Sequence, residues 1–251
     1  MKRFVLILYT IFLSMAAIAQ TINIDWKVGN NIYSQSTCEY GGDLNVPTAP
    51  TKYGYTFQGW ASYTPIEYLE STGTQWIDPH ITLNFFLKFE LDSALDDKDK
   101  VKIFGVGGGC TGDASIRANG PGSIFTFYLS YNGQLQPCRT IVDTEKHKII
   151  LDIYNGKVQI DNCSLDINSI YPIEDTDRKI YIGAYSRCGS VSLGEGWIGK
   201  YYGVKFYRKN ILIRDLIPVL DGKGTPCMFD KVESKFYYNQ GMGDFIAGPV
   251  I

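Results

Sequence analysis

The sequence predicts an all-β protein, in which a small β module precedes an antiparallel β-sandwich, and three observations support this fold class. Segments of alternating apolar and polar residues recur along the chain, turn signals separate them, and helical periodicity is almost absent. The chain also holds 26 Gly, 18 Tyr and 13 Phe, a composition that suits secreted β proteins. Many short strands without helices between them indicate a sandwich or jelly roll.

Residues 1–19 have the pattern of a secretory signal peptide. Lys2 and Arg3 precede the apolar run FVLILYTIF, and a small-x-small cleavage site ends at Ala19. An uncleaved membrane anchor is the alternative, but the run is short for a span, and no later stretch has the length of a transmembrane helix. We therefore expect an exported protein that begins at Gln20 and is extracellular, cell-surface or periplasmic.

Residues 20–62 form the predicted small module. TINIDWKV at 21–28 alternates as a half-buried strand does, while Pro47 and Pro50 bracket a segment that cannot be a central strand. Tyr40-Gly41-Gly42, these prolines and the closing GYTFQGW resemble the end of an internalin-type B-repeat, also called the Listeria–Bacteroides repeat. The resemblance implies a β-grasp-like extracellular module in which a few aromatic rings supply most of the burial.

Residues 63–251 form the predicted sandwich. Asn155-Gly156 lies between two alternating runs and marks a hairpin, because the favoured two-residue turn needs positive φ at both positions. A second Asn-Gly pair, Asn132-Gly133, follows the strand predicted at 123–131. SALDDKDK at 93–100 is expected to be a polar loop. The predicted strands are ITLNFFLKFEL (81–91), SIFTFYLSY (123–131), two runs within HKIILDIYNGKVQID (147–161), KIYIGAYS (179–186), YGVKFYR (202–208) and ILIRDLIPVL (211–220).

Both ends of this region resemble a secreted bacterial family of concanavalin A-like, laminin-G-like jelly rolls. IEYLESTGTQWID at 66–78 matches the family's opening. Residues 201–249 match its close, with a strand, a turn, RD-x-IP, a Gly-bearing loop, an aromatic hairpin and a final GP. The resemblance implies a two-sheet sandwich, and it implies little about activity because most members have no known function.

The cysteine pattern permits disulfide bonds in an exported protein. We favour bonds between Cys110 and Cys138 and between Cys163 and Cys188, because each pair brackets a compact strand-and-turn segment; buried free thiols are the alternative. There is no CxxC, and the chain has only two histidines, so a zinc site is not expected. The six cysteines are Cys38, Cys110, Cys138, Cys163, Cys188 and Cys227.

Composition and motifs also argue against several ligands. The formal charge of −2 and the absence of a basic tract disfavour nucleic acid and anionic membranes. GGGCTG at 107–112 fits a nucleotide-binding glycine pattern, but DASIRANGPGS after it cannot open the required helix, so a tight turn is favoured. No cofactor is expected. Calcium is the one open alternative, at an acidic loop that carries Asp92, Asp96, Asp97 and Asp99.

The sequence predicts no catalytic residues. It lacks both the E-x-D-x-x-E strand of laminarinase-type hydrolases and the G-x-S-x-G of serine hydrolases. His80 is expected in a loop and His147 on the surface. Arg214 and Asp215 are adjacent in a strand, so we expect them to make separate structural contacts.

Three aromatic residues near strand ends or Gly-rich loops are the predicted ligand-binding residues, because an aromatic face can stack on a sugar ring. They are Trp76, Tyr185 and Trp197. The alternative for each is packing in the core. The sequence therefore predicts a non-catalytic surface binding module for carbohydrate or a glycoconjugate, with a structural or protein-interaction module, or a hydrolase with an atypical site, as the alternatives.

Overall fold

The computed structural model is all-β, and the part of the chain that it describes contains strands and no helix. For the strands between 100 and 141 and for Arg187, it describes the backbone alone. The residues described are 21–28, 31–39, 42–53, 57, 60, 62–84, 86–95, 100–107, 113–119, 124–130, 134–141, 143–166, 178–187, 190–192 and 198–251.

The strands are short, and most pair in antiparallel fashion. In chain order they are β1 (Thr21–Val28), β2 (Asn31–Glu39), β3 (Tyr63–Pro65), β4 (Leu69–Thr72), β5 (Ile77–Thr82), β6 (Leu87–Leu95), β7 (Lys100–Gly107), β8 (Asp113–Asn119), β9 (Ile124–Ser130), β10 (Gln134–Ile141), β11 (His147–Asp152), β12 (Lys157–Ile160), β13 (Cys163–Asp166), β14 (Lys179–Ile182), β15 (Tyr185–Arg187), β16 (Ser190–Ser192), β17 (Ile198–Arg208), β18 (Ile211–Asp221), β19 (Pro226–Asp230), β20 (Lys235–Tyr237) and β21 (Ile246–Ala247).

The chain divides into two compact units, 1–59 and 60–251. In the first unit, β1 and β2 form a two-stranded antiparallel sheet. Trp26 on β1 is buried, and its Nε1 donates a hydrogen bond of 2.9 Å to Ser36 Oγ on β2. The module boundary drawn from the sequence, between 62 and 63, stays a prediction. The predicted signal peptide lies outside the described residues.

The second unit is a two-layer, mostly antiparallel β-sandwich. One layer is an eleven-stranded sheet with the main order β13-β12-β11-β6-β17-β18-β19-β20, called the large sheet below. The other layer combines the β5–β14 pair with a six-stranded sheet, β10-β9-β8-β7-β15-β16, called the small sheet; β14 contacts both β7 and β15. Alternating strand residues from both layers meet in one core that includes Ile81, Phe89, Ile180 and Phe206.

The predicted single strand at 81–91 is wrong, because the chain changes layers there. Residues 77–82 form β5 beside β14, whereas 87–95 form β6 in the large sheet. Asn84 makes the turn: its Oδ1 accepts a hydrogen bond from Phe86 N and its carbonyl accepts one from Leu87 N. Apolar residues occupy every second position both before and after this turn, with no break in the alternation. The sequence pattern alone therefore predicts one continuous strand. Asp92 accordingly lies in β6. The polar loop predicted at 93–100 is wrong at both ends, because 93–95 are buried residues of β6 and Lys100 begins β7; 96–99 lie outside the described residues.

The predicted hairpin at Asn155-Gly156 is confirmed, with a longer loop than the two-residue turn. Asp152 pairs with Lys157 across β11 and β12, so the loop comprises 153–156. The Asp152 carboxylate accepts hydrogen bonds from Asn155 N and Asn155 Nδ2, and Gly156 has φ of 65°. These hydrogen bonds from Asn155 to the Asp152 carboxylate favour a four-residue loop over a two-residue turn. Asn132-Gly133 lies outside the described residues, but the strands on either side of it, β9 and β10, pair in antiparallel fashion.

The Gly-rich stretch at 107–112 leads into a strand. Gly107 ends β7, residues 108–112 lie outside the described part of the chain, and β8 returns antiparallel to β7. A nucleotide-binding fingerprint would need a helix where β8 stands. The predicted tight turn itself lies outside the described residues and stays a prediction. Among the residues described, no helical segment has the length and apolarity that a bilayer crossing requires.

His147 is buried, which corrects the prediction of a surface residue. It stands at an inward position of β11 in phase with Ile149 and is 6% exposed. Its Nδ1 lies 2.7 Å from Asp161 Oδ2, and its Nε2 lies 3.1 Å from Asp143 Oδ1. The two flanking lysines had suggested exposure, but alternation places them on the other face of the strand.

Arg214 and Asp215 make separate contacts, as predicted. Arg214 pairs with the carboxylates of Glu233 and Asp230, and Asp215 pairs with Lys231 at 2.8 Å. Asp230 joins the two residues, since its Oδ1 accepts a hydrogen bond of 2.9 Å from Asp215 N. These ion pairs and hydrogen bonds therefore connect β18 to the end of β19 and to the turn that follows β19.

Candidate ligand-binding site

Trp76 lies in the segment between β4 and β5, and its backbone is fixed by the loop that follows β20. Trp76 N donates to Asn239 Oδ1 at 3.0 Å, and Gln240 N donates to Trp76 O at 2.8 Å. The turn before it is shaped by the buried side chain of Gln75, whose Oε1 accepts a hydrogen bond of 2.8 Å from Thr72 N. Trp76 is thus held from both sides although it belongs to no strand.

Two glycines allow this close approach of loops. A Cβ at Gly241 would stand 1.9 Å from Thr74 O and 2.9 Å from Trp76 Cδ1. Gly183, at the break between β14 and β15, has φ of 87°, and a Cβ there would stand 2.6 Å from Gln75 O. Both positions accept only glycine without movement of the neighbouring backbone.

The Trp76 ring packs on Tyr181 of β14. Their centroids are 5.0 Å apart with an interplanar angle of 74°, which is an edge-to-face contact. Tyr181 is 6% exposed, whereas Trp76 remains partly exposed. Burial, and then the nearby Asp78 carboxylate, raise the pKa of the Tyr181 hydroxyl, so it stays neutral at physiological pH.

An ion pair between Asp78 and Lys179 lies on the outer face of β5 and β14, which also carries Tyr181. Alternation turns Ile77 and Ile81 into the core and leaves Asp78 outside, next to Lys179 of β14. Lys179 Nζ donates to Asp78 Oδ2 at 2.8 Å. This hydrogen bond and the carboxylate's charge raise the pKa of Lys179, so the group is an ammonium at neutral pH.

His80 completes the face, and it lies in β5 rather than in the predicted loop. Its backbone has φ of 56°, and its N–H donates to Asp78 Oδ1 at 2.8 Å. The imidazole is exposed, with its Nδ1 3.4 Å from the same oxygen. The five residues Trp76, Asp78, His80, Lys179 and Tyr181 are called the Trp76 patch below. It combines an aromatic surface, one carboxylate, one ammonium and one imidazole.

The structure describes two of the three aromatic residues singled out from the sequence. Trp76 lies in the patch. Tyr185 is 1% exposed on β15, so its ring offers no face to a ligand, and we leave it out of the site. Trp197 lies outside the described residues.

Sequence reasoning missed Asp78, Lys179 and Tyr181. The alternation in IDPHI and KIYI indicates which side chains leave the core together on each strand. It does not indicate that the strands are neighbours, because Asp78 and Lys179 are 101 positions apart in the chain.

Among the described residues, no group of three or more His, Cys, Asp or Glu side chains is placed to hold a metal ion. Asp96, Asp97 and Asp99 of the candidate calcium loop lie outside those residues, and Asp92 is a strand residue 3.7 Å from Lys146 Nζ. Calcium binding at this loop therefore stays a prediction.

Comparison with known proteins adds little about function. No protein-family model and no curated protein matches the chain. Among solved structures, a native heptameric SAP-like pentraxin from Limulus polyphemus is similar over 60% of this chain and 76% of its own, with 10% sequence identity and a TM-score of 0.39. This likeness is too distant to support an argument about a ligand. The resemblance of 20–62 to a B-repeat finds no support here and stays a prediction.

Proposed function

We propose that the protein is a non-catalytic binding module that holds carbohydrate, or a glycoconjugate, on the Trp76 patch. The observation that carries the proposal is the partly exposed Trp76 ring beside a carboxylate and an ammonium on one sheet face. The apolar face of a pyranose ring can stack on indole. Its hydroxyls need acceptors and donors, which Asp78 and Lys179 supply. Aromatic surface with a few placed polar groups is typical of small-ligand sites.

The sequence supports the further proposal that this binding takes place outside the cytoplasm. Lys2, Arg3 and the apolar run after them fit an export signal with cleavage after Ala19. N-terminal sequencing of the protein recovered outside the cytoplasm should therefore read from Gln20, and a chain that still begins at Met1 would contradict export by cleavage.

Replacing Trp76 with Ala should weaken glycan binding about tenfold or more, since it removes the stacking surface that makes an interface aromatic a hot spot. The first measurement is a glycan array with purified, oxidised protein, followed by titration calorimetry with the best ligand. Tyr154→Ala is the matched control, because Tyr154 is an exposed aromatic in the 153–156 loop, away from β5 and β14 in sequence and sheet order.

The glycan array distinguishes three outcomes: a ligand on the Trp76 patch, a ligand elsewhere on the protein, and no glycan ligand. Glycan binding lost in Trp76→Ala and kept in Tyr154→Ala supports the patch. Equal loss in both variants places the ligand elsewhere. A folded wild-type protein that binds no glycan overturns the carbohydrate proposal.

Replacing Lys179 with Gln should also weaken binding, by about fivefold, because the ligand loses a charged donor and Asp78 loses its partner. Lys157→Gln is the control, since Lys157 is an exposed lysine on β12 of the large sheet. Isothermal titration of the ligand found on the array measures the change. Equal affinities for the two lysine variants would remove Lys179 from the site.

A protein-interaction role is the second candidate, and the first unit favours it. Its two-stranded sheet exposes several apolar side chains in the described residues, namely Ile22, Val28, Ile32 and Tyr33. Exposed apolar side chains mark an interaction site where they form a contiguous patch. The hydrolase alternative is tested on the same array ligand, because release of reducing ends by wild-type protein would show catalysis.

A further inference from the structure

Cys163, at the start of β13, is disulfide-bonded. Cys38 and Cys227 are free, and burial raises the pKa of the Cys227 thiol to about 12. The bond therefore joins Cys163 to one of the three remaining cysteines, Cys110, Cys138 or Cys188.

Of the three candidate partners, Cys138 is favoured by the order of the strands in the two sheets. Cys138 lies on β10, which is one edge strand of the small sheet, and Cys163 lies on β13, which is one edge strand of the large sheet. These two strands come close, with Cα–Cα distances of at most 8 Å between several of their residues. A disulfide needs Cα atoms about 4.4–6.8 Å apart. The fold thus brings two edge strands, one from each layer, next to each other.

The backbone of β10 is irregular at this cysteine. Pro137 pairs with Thr126 of β9, and the next pair joins Ile141 to Ile124, so residues 138–140 form a bulge. A bulge releases a strand from its ladder and bends it. Cys138 is the first residue of that bulge, so it lies outside the regular β9–β10 pairing.

We propose that Cys138 and Cys163 form a disulfide that joins the two layers of the sandwich at their edges. Each thiol loses its proton, the sulfurs form one S–S bond, and two electrons pass to an external protein disulfide, which becomes a dithiol. This pairing replaces the predicted bond between Cys163 and Cys188, and with it the bond between Cys110 and Cys138. At the opposite side of the sandwich, β5 and β20 of the two layers also come into contact.

Trypsin places each candidate cysteine in its own peptide, so the pairing can be read directly. The protein is unfolded, its free thiols are alkylated without reduction, and it is digested and analysed by mass spectrometry. The proposal predicts a linked pair of 118–139 and 158–178, which separates on reduction. A link from 158–178 to 188–200 or to 103–117 overturns it. These peptides carry Cys138 (118–139), Cys163 (158–178), Cys188 (188–200) and Cys110 (103–117).

A second readout uses variants of the full chain. Cys138→Ser, Cys163→Ser and the double variant each break the same bond, so all three should lower Tm by about 10 °C. A double variant that is clearly less stable than either single variant would show that the two cysteines belong to different bonds. Cys38→Ser is the control, and it should keep the wild-type Tm and the 118–139/158–178 link.

Discussion

Replacing Asp230 with Ala should lower the free energy of unfolding by about 3 kcal/mol or more, which is the cost of breaking a buried ion pair from one side. Asp230 is 0% exposed. Its Oδ1 accepts hydrogen bonds from Asp215 N at 2.9 Å and from Val232 N at 3.0 Å, and its Oδ2 lies 3.5 Å from Arg214 Nε. Alanine leaves both N–H groups without this acceptor and removes a counter-charge from Arg214.

Glu233→Gln is the matched control for Asp230→Ala. Glu233 pairs with the same Arg214, but its side chain is 40% exposed, so its loss should cost about 1 kcal/mol or less. Urea unfolding followed by tryptophan fluorescence measures both variants. Similar losses for the two would show that the buried carboxylate does not organise β18 and β19.

Replacing Gly241 with Ala should destabilise the protein by about 2 kcal/mol and weaken binding at the Trp76 patch as well. The new Cβ would stand 1.9 Å from Thr74 O, and a backbone oxygen cannot give way as a flexible side chain can. The loop must therefore move, which breaks the hydrogen bonds from Gln240 N to Trp76 O and from Met242 N to Thr74 O. Trp76 then loses the support that fixes its position.

Gly203→Ala is the comparison variant for this site. A Cβ at Gly203 would meet Leu216 O at 3.6 Å, an ordinary contact, so the stability should change by less than about 1 kcal/mol. Thermal unfolding and titration with the array ligand are measured on both variants. Wild-type stability for Gly241→Ala would show that the two loops are not docked as described.

The elements that were predicted well are those in which local pattern and long-range packing agree. β11 and β12 alternate on either side of an Asn-Gly loop, and β17 and β18 are joined by a tight turn in which Lys209 and Asn210 have positive φ. Neighbouring strands of this kind pair because their connection is too short for anything else. Residues 81–91 were mispredicted because both halves of that run bury apolar residues, in opposite layers, without a change of phase at Asn84.

In the candidate site, too, the local pattern predicted one residue but not the partners that long-range packing brings to it. Trp76 was identified because it is an aromatic residue near a strand end and a Gly-bearing turn, where ligand sites gather. Its partners were not identified, since Asp78 meets Lys179 only after the chain has formed β6 to β13 and returned as β14. His147 shows the reverse case: its lysine neighbours indicate a surface position, but the phase of β11 buries it between two aspartates.

The sequence by itself determined the all-β class, most strand positions and the faces that strand residues share, because period-two alternation and turn residues act over a few positions. Only the tertiary structure decided which strands are neighbours, where the chain changes layers, and which aromatic rings stay at the surface. These features depend on contacts between residues far apart in the chain, such as Gly241 with Thr74 and β10 with β13. Local patterns carry no information about such contacts, since any two amphipathic strands can bury the same apolar face.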